Sequence, residues 1–201
     1  MNLYPLLKNY VDSLQSDIDK LPDGRKATLN QISDYIRSSG SPKLNFICTH
    51  NSRRSHLGQV WAQTAAEFHG IKIESFSGGT EATAFNPNAV EALKRAGFEI
   101  QIPGGTNPKY TVSFSPDNDP MICFSKKFDE APNPAQNFAA IMTCSEADAE
   151  CPVIFGASER IKLLYEDPKV ADGTPDEANK YDERCRQIAS EMFYIFSQLK
   201  N

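Results

Sequence analysis

The chain has 201 residues, 40% of them hydrophobic, and a formal net charge of −5. This length supports one hydrophobic core with appended segments, and the acidic balance leaves no basic surface for a nucleic-acid partner. No apolar run is long enough to cross a bilayer and charged residues interrupt the N-terminal stretch, so we expect no membrane partner and a cytoplasmic location.

The first 42 residues predict a helical extension that precedes the main domain. Apolar residues recur at helical spacing between Leu3 and Leu21, which predicts one amphipathic helix. Pro22-Asp23-Gly24 is expected to end it, and a second helix should run from Thr28, as N-cap, to Gly40. We therefore expect a helical pair over residues 1–42 and an α/β domain over residues 43–201.

After this extension, strand and helix patterns alternate, which predicts parallel β-α-β units. The expected strands are Leu44–Cys48, one through Ile71, Ile73 and Phe76, Phe138–Thr143 and Ile161–Tyr165. The expected helices cover Leu57–Phe68, the stretch from the N-cap Asn86 to Gly97, and a long C-terminal segment opened by a capping box at Thr174–Glu177. The fold class is therefore α/β, a three-layer sandwich around a four-stranded parallel sheet.

Residues at about 106–136 differ from the rest of the chain. Five prolines interrupt them, and they contain one short apolar piece from Met121 to Phe124. The pattern indicates an insertion, which we expect to form a hairpin over one end of the sheet.

The segment Cys48-Thr-His-Asn-Ser-Arg-Arg54-Ser55 lies between the first predicted strand and a predicted helix. A thiolate can attack phosphorus or arsenic, and inward-facing amides at a helix N-terminus favour the anion that it attacks. Arg54 can bind two oxygens of a tetrahedral oxyanion, and Ser55 can hydrogen-bond the sulfur. The oxyanion-binding residues are predicted to be Thr49, His50, Asn51, Ser52, Arg53 and Arg54. A buried structural Cys48 is the alternative, but ligands bind at this end of open α/β sheets.

This loop resembles that of the low-molecular-weight protein tyrosine phosphatases and of the thioredoxin-coupled arsenate reductases, which share one fold. The resemblance continues in Ser77-Gly-Gly-Thr-Glu81 and Asn86–Lys94 and covers roughly residues 44–105 and 138–199. It implies a low-molecular-weight phosphotyrosine phosphatase-like fold and an arsenate or phosphate-like oxyanion as substrate. It also implies Asp167, which follows the fourth predicted strand, as the general acid, although a lone Asp-Pro is usually a turn.

The sequence departs from both families at two positions and from the reductases at a third. His50 replaces a glycine, and Arg53 replaces a second cysteine and adds positive charge beside the nucleophile. Gln59 stands where the reductases often have a glutamate associated with a potassium ion, so we expect no metal and no cofactor.

Cys144 and Cys151 distinguish the two families. Thr143-Cys-Ser-Glu-Ala-Asp-Ala-Glu-Cys-Pro152 resembles the reductase segment between its redox cysteines. The resemblance implies that Cys48 forms an arsenate adduct, Cys144 attacks Cys48, and Cys151 resolves the disulfide for reduction by thioredoxin. The C-x6-C spacing, without histidines, does not fit a metal site.

We therefore favour an arsenate reductase with catalytic Cys48, Arg54, Ser55, Asp167, Cys144 and Cys151. The alternative is a low-molecular-weight protein tyrosine phosphatase that hydrolyses phosphomonoesters through a phosphocysteine and does not use the cysteine pair. A non-catalytic oxyanion-binding or redox-sensing module remains a third hypothesis. Cys123 and Cys185 are expected to be packing residues.

Overall fold

The computed structural model describes residues 2–151 and 153–199. In chain order its elements are α1 (Pro5–Asp12), α2 (Gln15–Ile18), α3 (Asp23–Ser38), β1 (Lys43–Cys48), α4 (Arg54–His69), β2 (Glu74–Gly79), α5 (Pro87–Ala96), β3 (Glu99–Gln101), β4 (Tyr110–Ser113), β5 (Met121–Cys123), β6 (Phe138–Met142), α6 (Ser145–Glu150), β7 (Ala157–Lys162), a 3-10 helix (Pro168–Ala171) and α7 (Glu177–Ser197). None of the helices in the described ranges is long and apolar enough to span a membrane.

The main sheet has four parallel strands in the order β2-β1-β6-β7. The central strands β1 and β6 are buried almost throughout, as expected where helices or loops cover both faces of a parallel sheet. One face packs on α4 and α7, and the other carries a smaller apolar cluster with α6. The predicted three-layer fold around a four-stranded parallel sheet is confirmed, as is the helical N-terminus.

The N-terminal helices differ in detail from the prediction. The first does not run unbroken to Leu21: α1 ends at Asp12, and Ser13 Oγ donates to Tyr10 O at 2.6 Å. The second begins five residues before Thr28, with Pro22 as its N-cap and Asp23 in the first turn. An acidic residue is favourable at this end of the helix dipole, so the segment that we read as a helix breaker starts a helix.

These helices pack on the main domain. Leu7, Leu29 and Ile32 are fully buried in the same cluster as the residues of β1, α4 and α7. The Arg25 guanidinium of α3 makes two 2.8 Å bonds to the Glu191 carboxylate of α7. Tyr165 Oη donates to that carboxylate at 2.7 Å, and Arg25 Nη1 donates to Leu164 O at 3.1 Å.

Replacing Leu29 with alanine should therefore destabilise the whole domain. The side chain is 0% exposed, and truncating a buried leucine costs about 2–5 kcal/mol through lost contacts and the remaining cavity. Chemical denaturation followed by tryptophan fluorescence measures this, since Trp61 lies in the same core. A matched change at exposed Leu6, which is 58% accessible, should have little effect. Equal effects for the two variants would contradict this packing.

The predicted insertion contains a hairpin, but it belongs to a larger unit. β4 pairs antiparallel with β5 and also with β3, which the sequence pattern did not predict. The chain then returns to the main sheet, where Gly79 N donates to Lys126 O and Phe128 N to Gly79 O, both at 2.9 Å. The segment from Ser125 to Phe128 therefore lies beside the carboxyl end of β2.

Three boundaries in the chain were predicted wrongly. The second strand starts at Glu74, after Ile71 and Ile73, and the fourth is Ala157–Lys162 instead of Ile161–Tyr165. β7 is an edge strand, where polar side chains are tolerated, so its polar sequence hid it. The last helix starts at Glu177, since Thr174 Oγ1 accepts from Asp176 N in a turn and does not cap the helix.

Candidate active site

The loop from Cys48 to Arg54 joins the end of β1 to the N-terminus of α4. Its carbonyl groups point outwards: Thr49 O accepts from Glu81 N at 2.8 Å and Ser52 O from Asn86 N at 2.8 Å. Because a trans peptide directs its N–H opposite to its C=O, the following amides face the inside of the loop. Inward amides at the start of a long helix form an anion-binding cradle.

Glycine at position 79 allows the loop to pack this closely on the end of β2. A Cβ atom at Gly79 would clash with the carbonyl oxygens of Thr49 and Glu81 and with the amide of Asn51. His50, at the rim, is held through its carbonyl, which accepts from Ser125 Oγ at 3.0 Å. The insertion therefore supports the loop from outside.

The Cys48 sulfur lies 3.1 Å from Ser55 Oγ, in the first turn of α4. Asn51 has φ 44°, a left-handed conformation that asparagine tolerates, and its Nδ2 donates to Ser55 Oγ at 2.9 Å. Its Oδ1 accepts from Lys126 N at 2.9 Å, which fixes the orientation of the amide. Because Ser55 Oγ accepts from Asn51, the Ser55 hydroxyl proton is left to donate to the sulfur. This arrangement suits a thiolate at Cys48.

Two arginines converge on Asp167. Arg53 donates from Nε to Asp167 Oδ1 at 2.7 Å and from Nη2 to Oδ2 at 3.1 Å. Arg54 donates to Asp167 Oδ2 and to Tyr165 O, both at 2.9 Å. The cavity enclosed with Cys48 is about 10 Å³, which is roughly the room for one water. A tetrahedral oxyanion is larger than this cavity, so side chains that line it have to move when the anion binds.

The surroundings of Asp167 favour its ionised form. Burial alone would raise the pKa of Asp167, but the hydrogen bonds from Arg53 and the charge of Arg54 outweigh burial and hold that pKa below its usual range. The predicted acid is thus next to the predicted anion site but is a carboxylate at neutral pH. Arg53, predicted to bind substrate, directs its guanidinium to Asp167.

Cys144 and Cys151 lie at the two ends of α6, as N-cap and C-cap. Cys144 Sγ is 3.5 Å from Thr49 Oγ1, and both cysteines pack in the same apolar cluster as Cys48. All three thiols are free. Burial raises the pKa of Cys144, and burial together with the charge of Glu150 raises that of Cys151. Pro152 lies outside the described residues.

A side chain of β7 holds the C-terminal end of α6. Arg160 Nη2 donates to Asp148 O at 2.7 Å and to Cys151 O at 3.1 Å. Across this helix, seven residues at the usual rise separate the two cysteines by about 10 Å. A disulfide needs Cα atoms about 4.4–6.8 Å apart, so Cys144 and Cys151 can bond only after α6 unwinds.

Several supporting groups could not be found from local sequence patterns. Tyr165 O, Lys126 N and Arg160 act through contacts with residues distant in the chain or through backbone atoms. Cys123 and Cys185 are buried away from the loop, and Cys185 Sγ accepts from Trp61 Nε1 at 3.2 Å. Within residues 2–151 and 153–199, no group of three or more His, Cys, Asp or Glu side chains could hold a metal ion.

Comparisons with known proteins agree with this geometry. An arsenate reductase of Bacillus licheniformis is 28% identical over 153 residues, covering 76% of this chain and 93% of that protein. A mutant of YwlE from Bacillus subtilis superposes with a TM-score of 0.55 at 17% identity, covering 80% of this chain and 99% of YwlE. A low-molecular-weight phosphotyrosine phosphatase of Vibrio cholerae O395 superposes with a TM-score of 0.53 at 14% identity, covering 79% of this chain and 96% of the phosphatase. No protein-family model matches the chain. The chain is thus similar in sequence to arsenate reductases and in fold to low-molecular-weight protein tyrosine phosphatases, and both similarities support the superfamily that these two kinds of enzyme share.

Proposed function

We propose that this enzyme reduces arsenate to arsenite by a relay through Cys48, Cys144 and Cys151, with thioredoxin as the final reductant. The observation that carries the proposal is the position of α6: its two terminal cysteines pack in the cluster that contains Cys48. The sequence similarity to arsenate reductases supports the substrate. Free thiols and a thioredoxin partner also suit the reducing cytoplasm, where we propose that the enzyme works.

In the first step the Cys48 thiolate attacks arsenic and one oxygen leaves as water. Arg54 and the loop amides bind the remaining oxygens, and Ser55 donates to the sulfur. The leaving oxygen needs one proton, which we predicted to come from Asp167. As long as Arg53 holds Asp167 as a carboxylate, singly charged arsenate supplies this proton itself, since it carries two hydroxyl groups.

In the second step the Cys144 thiolate attacks the Cys48 sulfur and the sulfur–arsenic bond breaks. The electron pair of that bond stays on arsenic, which leaves as arsenite, and the two sulfurs form a disulfide. The Cys151 thiolate then attacks Cys144, which releases the Cys48 thiolate. Thioredoxin reduces the resulting Cys144–Cys151 disulfide.

The relay requires α6 to open. Cys144 is buried and its raised pKa keeps the thiol protonated, so exposure of this segment is also what allows its ionisation. Arg160, which binds the carbonyls of Asp148 and Cys151, has to release the helix end in the same movement. A short six-residue helix is a suitable element for such local unfolding.

The second candidate function is phosphatase activity, which the solved phosphatases of the same fold favour. It would use Cys48, Arg54, Ser55 and Asp167 and leave the cysteine pair idle. The two functions share the first attack and differ only in whether sulfur or water removes the group from Cys48.

A two-substrate assay tests the proposal. The purified enzyme with arsenate, thioredoxin, thioredoxin reductase and NADPH should oxidise NADPH continuously, in one-to-one proportion to the arsenite formed. The same enzyme should hydrolyse para-nitrophenyl phosphate much more slowly. Efficient ester hydrolysis without arsenate-dependent NADPH oxidation would reject the reductase and favour the phosphatase, and a control lacking thioredoxin tests the partner.

A further inference from the structure

We propose that Arg53 is a specificity-determining residue, which keeps Asp167 from donating a proton and so disfavours phosphate esters while arsenate remains a substrate. The inference rests on the proposed function insofar as Cys48 is the nucleophile. The inference goes beyond the proposed function because it assigns to Arg53 the discrimination between two classes of oxyanion substrate.

The carboxylate of Asp167 accepts four hydrogen bonds, two at each oxygen. Arg53 supplies two of them, Arg54 one at 2.9 Å, and the amide of Lys169 one at 3.1 Å to Oδ1. All of these groups are donors and none can accept a proton from a carboxylic acid. Protonation of Asp167 would therefore break bonds on whichever oxygen took the proton.

Arg53 stays hydrogen-bonded to Asp167 when Arg54 moves to bind the substrate anion. Arg54 has one bond to Asp167 and is the arginine at the C-x5-R position, so its guanidinium turns to the incoming anion. Arg53 binds Asp167 through a two-pronged contact, with side chains only 11% and 23% exposed, where solvent screens little. Two other titratable groups act on Arg53: Tyr181, which donates from Oη to Asp172 Oδ1 at 2.8 Å, and the Cys48 thiol. Arg53, together with the amide of Lys169, thus opposes proton donation by Asp167 during the reaction, and Arg53 supplies two of the three remaining hydrogen bonds.

The consequence differs between substrates because their protons differ. A phosphate monoester, with its second pKa near 6, is mostly a dianion at neutral pH, so its leaving alkoxide or phenoxide needs an external acid. Such an acid is worth about 10²–10⁴-fold in rate. Singly charged arsenate transfers a proton from one of its hydroxyls to the other, which leaves as water as the sulfur–arsenic bond forms. Only the ester loses its proton source.

Two esters with different leaving groups test this role. Para-nitrophenolate leaves without protonation, whereas phenolate from phenyl phosphate needs a proton. In Arg53→Gln, the kcat/KM for phenyl phosphate relative to para-nitrophenyl phosphate should rise by on the order of tenfold. In Arg53→Lys, which keeps the charge but not the bidentate contact, this ratio of kcat/KM values should rise less. Both esters use the same anion site. A purely structural effect of the substitution would therefore change the two kcat/KM values by the same factor and leave their ratio unchanged.

The control is the same substitution combined with Asp167→Asn, which removes the acid and should abolish the gain. A gain that persists in this double variant, or an unchanged ratio in Arg53→Gln, would overturn the assignment. A titration followed by the ¹³C NMR signal of the Asp167 carboxyl carbon needs no turnover: its midpoint should move to higher pH in Arg53→Gln, and an unmoved midpoint rejects the role of Arg53. An enzyme inactive on arsenate and esters alike would contradict the proposed function, and the titration would still decide the role of Arg53.

Discussion

Replacing Cys48 with serine should abolish arsenate reduction and ester hydrolysis together, with a loss of at least about 10⁴-fold in kcat/KM. Both reactions begin with a bond from this sulfur, and a serine hydroxyl at the same position is a far weaker nucleophile. The change is nearly isosteric, and the contact to Ser55 can be kept, so the fold should remain intact. Steady-state assays of both substrates, with thermal unfolding of the same samples, measure this.

Cys123→Ala is the matched control. This thiol is fully buried and burial raises its pKa to about 12, so we expect it to stay protonated and to take no part in catalysis. Its replacement should affect stability and leave turnover of the folded fraction unchanged. Arsenate reduction that survives Cys48→Ser would reject the nucleophile, and with it the interpretation of the whole loop.

Replacing Cys144 or Cys151 with serine should stop continuous arsenate reduction at two different stages while ester hydrolysis continues. Without Cys144 no arsenite is released, because no sulfur can attack the Cys48 adduct. Without Cys151 each enzyme should release one arsenite and then stop as the Cys48–Cys144 disulfide. Quenched single-turnover assays of arsenite, combined with counts of free thiols, distinguish the two.

Ester hydrolysis is the internal control for these variants, since it does not require Cys144 or Cys151. Cys185→Ser is a further control, because Cys185 accepts a hydrogen bond from Trp61 in the core and lies away from α6. Repeated turnover of arsenate with thioredoxin in Cys151→Ser would show that another thiol, or thioredoxin itself, resolves the first disulfide. That result would remove Cys151 from the relay.

The sequence predicted features whose physical causes are local. Asn86-Pro87 and Gly97 mark the two ends of α5, and both act there as expected: Asn86 Oδ1 accepts from Asn88 N, and Gly97 has φ 107°. The run from Leu44 to Cys48 is short and mostly apolar, which is typical of a buried central strand of a parallel sheet. The C-x5-R-S spacing likewise predicted a loop in which Ser55 reaches the sulfur.

Features that depend on distant partners were not predictable in this way. Nothing around Arg53 indicates that its side chain reaches a carboxylate 114 positions away, yet that contact changes the chemistry of Asp167. The amide of Lys126 orients Asn51 through backbone atoms, which leave no trace in residue type. The edge strand β7 was placed too late in the chain, and the helix α6 was missed, because polar sequences can form either element when only one side is buried.

The contact between Arg25 and Glu191 extends the support of the catalytic loop into the N-terminal helices. Glu191 also binds the hydroxyl of Tyr165, and the carbonyl of Tyr165 holds Arg54, so a continuous chain of polar contacts runs from α3 to the anion cradle. What resembled a separable extension in the sequence is thus part of the scaffold that aims the arginine. We therefore expect a natural variant in α3 to impair turnover from outside the pocket, because residues that never approach the proposed oxyanion site help to position Arg54.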